Sequence, residues 1–253
     1  MQKRPAEIIE KTPKKRHIVR KVLFFLTVAS LVVTAFNVFL LFRKGVIMLN
    51  NPPRSKYQVR GADISVRQGE IDWGGLSAQG FEFLYIKATE GAFFKDSQFE
   101  KNHKGSEKTS LLTGFYHCFS FDASAKNQAD NFISTVGHKR KMLPPVIKVE
   151  LYGKFRVSKP DESEVSKKLS ELVDAFEAEY GAKPIIFCTE EVYGLYIKGR
   201  FEGYPIWIRS VYREPSQADY DWLFWQYTDR AGGGFTGLSV FSGTLSELKN
   251  MMI

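Results

Sequence analysis

The run from Val22 to Phe42, VLFFLTVASLVVTAFNVFLLF, contains no charged residue. A helix needs roughly 20 apolar residues to cross the hydrocarbon core of a bilayer, and this run supplies that length. It has no polar side to turn toward water, which disfavours a buried helix of a soluble domain. Its polar members are Thr27, Ser30, Thr34 and Asn37. The flanks are unequal. Lys3, Arg4, Lys11, Lys14, Lys15, Arg16, Arg20 and Lys21 precede the run, and only Arg43 and Lys44 follow it directly. Because basic flanks stay cytoplasmic, the amino terminus is expected inside and the rest of the chain outside. A cleaved signal peptide would have a core of about 7–15 apolar residues ending in small ones; this run is longer and ends in Phe42-Arg43-Lys44. The sequence therefore predicts a basic cytoplasmic tail over 1–21, a transmembrane signal anchor over 22–42, a linker over 43–56 and an outer domain over 57–253.

Composition narrows the chemistry. Of 253 residues, 43% are hydrophobic and 25% charged, which is ordinary globular usage. The net charge of +8 draws heavily on the first 21 residues, so it speaks to topology more than to a binding groove. The outer domain has no stripe of basic and aromatic residues, and export would remove it from nucleic acid, so nucleic-acid binding is disfavoured. Cys118 and Cys188 form no Cys-x-x-Cys pair. They fall on predicted strands two apart, about 9–10 Å from each other, beyond the about 7 Å reach of a disulfide, so free thiols are expected. Four histidines without ligand spacing give no reason to expect a metal or other cofactor.

From Tyr57 onward, short apolar runs alternate with polar stretches. Strands are predicted over 59–65, 83–88, 113–119, 145–150, 184–189, 206–209, 223–227 and 239–241, all as buried strands of a parallel sheet. Val165, Leu169, Leu172, Val173, Phe176 and Tyr180 share one face at helical spacing, with Ser158 and Pro160 before them and Gly181 after. A second helix is predicted over 123–136, with Ala129, Phe132, Ile133 and Val136 inward. Asp72 reads as the N-cap of a helix after the first strand, and His117 as a satisfied core histidine. Eight strands with several crossovers in under 200 residues predict an α/β fold, an irregular TIM-like β/α barrel preceded by one transmembrane helix. The later strands are too closely spaced for a full helix between each pair.

The short motifs follow one another in a recognisable order. The first strand reads Gly61-Ala62-Asp63-Ile64-Ser65, and the second ends Ile86-Lys87-Ala88-Thr89-Glu90-Gly91. Gly114-Phe115-Tyr116-His117 follows, then Pro145-Val146-Ile147-Lys148-Val149-Glu150. Later come Lys183-Pro184-Ile185-Ile186-Phe187, Trp207-Ile208 and Phe224-Trp225-Gln226-Tyr227. In this order, over roughly Tyr57 to Asn250, the series resembles glycoside hydrolase family 25, the lysozyme-type muramidases of peptidoglycan. The resemblance implies cleavage of the β-1,4 bond between N-acetylmuramic acid and N-acetylglucosamine. It implies Glu150 as general acid and Asp63 as second carboxylate, acting on the substrate or its acetamido group. Glu90, Tyr116, Trp207, Trp225, Gln226 and Lys148 would then line the glycan site. The physics concurs: nearly every motif sits at the carboxyl end of a predicted strand, where barrels build their sites. Sugar cleavage needs paired carboxylates, and aromatic faces suit sugar rings. The expected partner is a peptidoglycan strand, reached from a bacterial cytoplasmic membrane with the outer domain in the periplasm or outside the cell.

Two positions depart from the family pattern. The fourth strand usually ends Asp-x-Glu, and here it ends Lys148-Val149-Glu150. Side chains two apart on a strand share a face, so an ammonium is expected beside the presumed acid, where it favours the ionised form. At about 5 Å and an effective dielectric of about 20, one unit charge amounts to roughly 3 kcal/mol, or roughly a hundredfold in rate. Near the carboxyl end, Gly237 and Ser239 stand where an Asp and an Asn are usual, and Phe187 stands where a Tyr is common. Asp63 and Glu150, aided by Glu90 or Asp229, suffice for a slow or specialised muramidase. The rival reading is a peptidoglycan-binding module of the same fold with impaired catalysis, in which Lys148 pairs with Asp63.

Overall fold

The computed structural model describes residues 14–43, 50–137, 141–229 and 237–253, with no side-chain account of 14–16, 43 and 77. The chain forms two compact units, Met1–Ile47 and Met48–Ile253. In the first, helix α1 (Lys14–Arg43) starts earlier than the apolar run, so the basic residues from Lys14 onward are already helical. It is the one helix among the described residues long and apolar enough to cross a membrane, over His17–Phe42. Three of the polar side chains within that span turn back onto their own helix. Thr27, Thr34 and Asn37 donate to the carbonyls of Leu23, Ser30 and Val33, each at 2.9 Å. A side chain satisfied in this way costs little in an apolar surrounding. The tail over 1–13 lies outside the described residues.

The second unit is built on one sheet. Its strands are β1 (Arg60–Ile64), β2 (Phe83–Glu90), β3 (Phe94–Lys95), β4 (Leu112–Cys118) and β5 (Val146–Val149). They continue with β6 (Ile185–Thr189), β7 (Ile206–Arg209), β8 (Trp222–Thr228) and β9 (Gly237–Phe241). The order is β1-β9-β8-β7-β6-β5-β4-β2-β3, and a further β1–β2 pairing closes eight of the strands into a barrel. All eight predicted strands form. Two features differ from the sequence expectation. The last barrel strand, β9, runs antiparallel to both β8 and β1, so the sheet is not all parallel. The two-residue β3 forms a hairpin on the end of β2 and stands outside the closed ring.

Crossovers shrink along the chain, as strand spacing required. Helix α2 (Trp73–Ala78) follows β1, α3 (Phe99–Ser106) follows the hairpin, α4 (Ala125–Val136) follows β4 and α5 (Glu162–Tyr180) follows β5. Asp72 does cap α2, accepting the Gly75 N–H at 3.0 Å. The N-cap of α5 is Asp161, bonded to the Glu164 N–H at 2.9 Å, and Gly181 ends the helix in the left-handed conformation. The inward faces match their periodicity. Val165, Leu169, Leu172, Val173 and Phe176 of α5 are buried, and Phe176 stacks on Phe132 of α4 with centroids 4.5 Å apart. Beyond β6 the described connections carry only short helical turns, Glu190–Val192 and Tyr193–Ile197 before β7 and Gln217–Tyr220 before β8.

Strand alternation sorts the core into two layers. Ala62, Ile64, Leu84, Ile86, Phe115, Ile147, Val149, Ile186, Ile208 and Trp225 face outward and meet the helices. Phe83, Tyr85, Tyr116, Val146, Ile185, Phe187, Trp207, Phe224 and Phe241 fill the barrel. The interior is thus a solid aromatic plug, as barrels of eight strands require. Two glycines make room for it. A Cβ at Gly61 would lie 2.3 Å from the Phe83 ring, and one at Gly114 would lie 2.3 Å from Tyr85.

The segment read as a linker is partly fixed to the barrel. Pro52 is buried, and its carbonyl accepts from the Arg60 guanidinium, which also donates to Tyr227 Oη at 3.3 Å. Lys56 and Tyr57 both bond Glu214, at 2.6 and 2.8 Å. Residues 44–49 lie outside the described residues.

Candidate active site

The plug stops short of one mouth, the one at the carboxyl ends of the parallel strands. On five of the strands the inward residue above the plug is polar. These are Asp63 above Gly61 on β1, Lys87 above Tyr85 on β2, Lys148 above Val146 on β5, Arg209 above Trp207 on β7 and Gln226 above Phe224 on β8. Glu150 follows Lys148 by two residues. The sequence-predicted pair, Asp63 and Glu150, is therefore brought to the same mouth, and the two carboxylates interact electrostatically.

Their surroundings differ. Asp63 is only 6% exposed, and Gln226 Nε2 donates to its Oδ1 at 2.7 Å. Burial raises the Asp63 pKa above the ordinary aspartate value. The Lys148 charge and the Gln226 hydrogen bond work against burial without cancelling it. Glu150 is about one-third exposed and lies between two cations, Lys148 Nζ at 3.3 Å and Arg209 Nη1 at 3.5 Å. Arg209 also pairs with Asp229. Burial alone would lower the Lys148 pKa, but Glu150, followed by Asp63, more than offsets it and the net direction is upward. The Lys148 ammonium also sits over the Phe187 ring, 4.4 Å from its centroid, and 5.8 Å from that of Tyr116. The lysine that departs from the family pattern is thus built in and charged. Its direct ion pair is with Glu150; its link to Asp63 is through the field.

Gly237 explains the Gln226–Asp63 bond. Its backbone lies against β1, paired with Asp63. A Cβ there would fall 1.9 Å from Asp63 Oδ1 and 2.2 Å from Gln226 Nε2. The second missing acid therefore leaves the space in which amide and carboxylate meet.

The remaining predicted residues divide. Glu90 is at the mouth, half-exposed and bonded to Lys87 at 2.5 Å, and Phe94 of the hairpin covers that lysine, 5.0 Å from its ring centroid. Tyr116 faces inward below Lys148, almost fully buried. Trp207 belongs to the plug, 2% exposed, packed on Tyr85 and Phe187, with its indole N–H donating to Ser239 Oγ at 3.2 Å. It forms the floor of the mouth, one layer below Arg209. Trp225 is not part of the mouth. It stands on the outer face of β8, 1% exposed, beside Tyr57 and Trp222, and donates to the Ser210 carbonyl at 2.8 Å. Because Gln226 points inward, its neighbour must point outward. Arg209 is the residue the sequence reading missed. It lies two positions beyond Trp207, hence on the same face and one layer nearer the mouth.

His117 is a core residue, between Thr89 Oγ1 at 2.7 Å and Gln128 Oε1 at 3.1 Å. Cys118 and Cys188 are free, on β4 and β6 with β5 between them. Among the described residues no group of three or more His, Cys, Asp or Glu could hold a metal ion.

A closed barrel whose inward carboxylates gather at the carboxyl ends of its strands is the framework of a glycoside hydrolase. The family model for glycosyl hydrolases family 25 matches residues 62–233, and the chain belongs to that family. A family 25 glycosyl hydrolase from Bacillus anthracis superposes with a TM-score of 0.75 at 40% identity, over 81% of this chain and 97% of that one. Protein YegX of Escherichia coli K12 is 34% identical over 205 residues, 77% of this chain and 74% of YegX. Lysozyme M1 of Streptomyces globisporus is 29% identical over 222 residues, 78% of this chain and 72% of the lysozyme.

Proposed function

We propose that the barrel hydrolyses the β-1,4 bond between N-acetylmuramic acid and N-acetylglucosamine in peptidoglycan, with Asp63 and Glu150 as the reacting carboxylates. The observation that carries this reading is the placement of both on inward-facing positions of β1 and just past β5, at one mouth, in unlike surroundings. One carboxyl that holds a proton and one that stays ionised is the division of labour glycoside cleavage needs. Lysozyme M1 and the family 25 relatives support the substrate class. Gln226, Tyr116, Lys148 and Glu90 would contact the glycan, with Trp207 as the floor beneath it.

The setting follows from α1. Its apolar span, preceded by basic residues, supports anchorage in a bacterial cytoplasmic membrane with the barrel outside the cytoplasm. The units would then be a cytoplasmic tail over 1–21, an anchor over 22–42, a short connection and the barrel, with peptidoglycan as the partner.

One observation favours a second reading, glycan binding with little cleavage: the ion pair between Lys148 and Glu150. A single experiment separates them. The detergent-solubilised chain is incubated with insoluble peptidoglycan, and soluble fragments are measured. Hydrolysis predicts release by the native chain and a loss of at least a hundredfold in Glu150→Gln. Co-sedimentation with peptidoglycan and no release at any pH supports the binding reading.

A further inference from the structure

The aromatic rings expected to meet a glycan offer it little surface. Trp207 and Tyr116 lie in the plug and Trp225 on the outer face of β8, and all three are buried. The rings that reach solvent stand higher, on the rim. Among the described residues of the barrel unit, the exposed large hydrophobic side chains are Val66, Phe93, Phe94, Tyr152, Val157 and Tyr212. Every one lies in a segment that leaves the carboxyl end of β1, β2, β5 or β7. Single apolar side chains are ordinary on a surface, but their confinement to one end of a barrel marks a contact surface.

Phe93 and Tyr212 are the most exposed of these rings, at 87% and 77%. Both are held out by buried donors. Asn131 of α4, itself 6% exposed, donates from Nδ2 to the Gly91 carbonyl at 2.9 Å and to the Phe94 carbonyl at 3.1 Å, which fixes the hairpin on either side of Phe93. The segment around Tyr212 is pinned in the same manner. The Trp225 indole donates to the Ser210 carbonyl at 2.8 Å, and the Trp222 indole to the Pro215 carbonyl at 3.0 Å. Between them Ser210 Oγ donates to the Arg213 carbonyl at 2.9 Å. A ring presented on a fixed turn loses little freedom when a ligand packs on it.

Sheet order sets the two rings apart. In the closed ring of strands, β2 and β7 are separated by β4, β5 and β6 one way round and by β1, β9 and β8 the other. Phe93 and Tyr212 therefore leave opposite sides of the mouth. Asp63 of β1 and Glu150, just past β5, lie in the two arcs between them. We propose that Phe93 and Tyr212 are sugar-stacking platforms on opposite rims, and that a glycan strand binds laid across the mouth from the β2 side to the β7 side. The C–H face of a pyranose packs on an aromatic face. Continuity with the mouth names the occupant: the floor between the platforms carries Asp63, Glu90, Glu150 and Gln226, which suit the hydroxyls and amides of such a strand.

This inference rests on the muramidase reading, yet its test needs no turnover. Glycan affinity is measured by calorimetry on the detergent-solubilised chain carrying Glu150→Gln, so that the ligands survive. The ligands are peptide-free oligomers of alternating N-acetylglucosamine and N-acetylmuramic acid, from disaccharide to octasaccharide. Affinity is expected to rise with length until the strand reaches both rims. Phe93→Leu and Tyr212→Leu keep apolar bulk without the ring, and each is expected to weaken octasaccharide binding about fivefold. Sites on opposite rims with no shared partner add, so the double variant should lose about twenty-five-fold and most of the length dependence. Phe93→Tyr and Tyr212→Phe keep a ring and should bind within about twofold of the parent. Unchanged octasaccharide affinity in the double leucine variant overturns the proposal and leaves the muramidase reading standing. Loss of self-association in that variant, read by sedimentation, with glycan affinity unchanged assigns the rim to a second copy of the chain and overturns it equally. If the parent binds no oligomer of any length, the platforms and the muramidase reading fall together.

Discussion

At Gly237 one methyl group decides whether Asp63 and Gln226 can meet. A Cβ would fall 1.9 Å from Asp63 Oδ1, so Gly237→Ala must push the carboxylate or the amide aside. Misplacing a reacting group by about 1 Å can cost on the order of a hundredfold. Gly237→Ala should therefore lower peptidoglycan cleavage at least tenfold while the unfolding midpoint changes little. Undiminished cleavage would show that the Asp63–Gln226 contact is dispensable. Much at this scale is legible from the chain: Asp63, Glu150 and Gln226 stand in strand motifs whose spacing sends them to the mouth. What escapes is which face each neighbour takes. Trp225 and Gln226 cannot both face inward, and Arg209 shares the Trp207 face; period-two alternation carries both facts. The ion pair of Lys148 with Glu150 rather than Asp63 depends on side-chain reach, which residue spacing does not specify.

At the scale of elements, hydrophobic runs mark the eight barrel strands because each is buried on both faces. The apolar stripe of α5 is equally plain, since Phe176 and its neighbours must cover the outer face of the barrel. The direction of β9 is not legible, because a buried strand has the same apolar pattern whichever way it runs. The β3 hairpin escapes for another reason: Phe94 and Lys95 are exposed, so no burial pattern marks them. The packing of α4 on β4 carries a pH dependence. Burial lowers the His117 pKa to about 4 from 6.5, although its hydrogen bond to Gln128 opposes the shift. In the unfolded chain it titrates near its ordinary value, so between these limits the unfolded state binds the extra proton. The stabilisation is complete above about pH 6.5 and is lost as pH falls toward about 4, by up to roughly 3 kcal/mol. Urea unfolding at pH 7.5 and 4.5 should show this loss, and His117→Gln should shrink it. An equal loss in that variant would place the pH sensitivity elsewhere.

For the whole molecule, the helix over Lys14–Arg43 and the barrel unit are separate compact bodies, and topology joins them to function. Protease added to spheroplasts should digest the barrel and spare the basic amino-terminal tail; protection of the barrel would reverse the proposed orientation. That two-part organisation is readable in the sequence, because an uncharged run of bilayer length stands apart from the alternating strand pattern. The distinction between linker and barrel is less readable, since Pro52 is held by Arg60 in a stretch whose prolines look like punctuation. The central chemistry is tested by reducing the soluble peptidoglycan fragments with borohydride and identifying the new ends by mass. Cleavage at the bond assigned to Asp63 and Glu150 predicts reduced muramic acid at those ends. Reduced glucosamine, or no new ends at all, would contradict it.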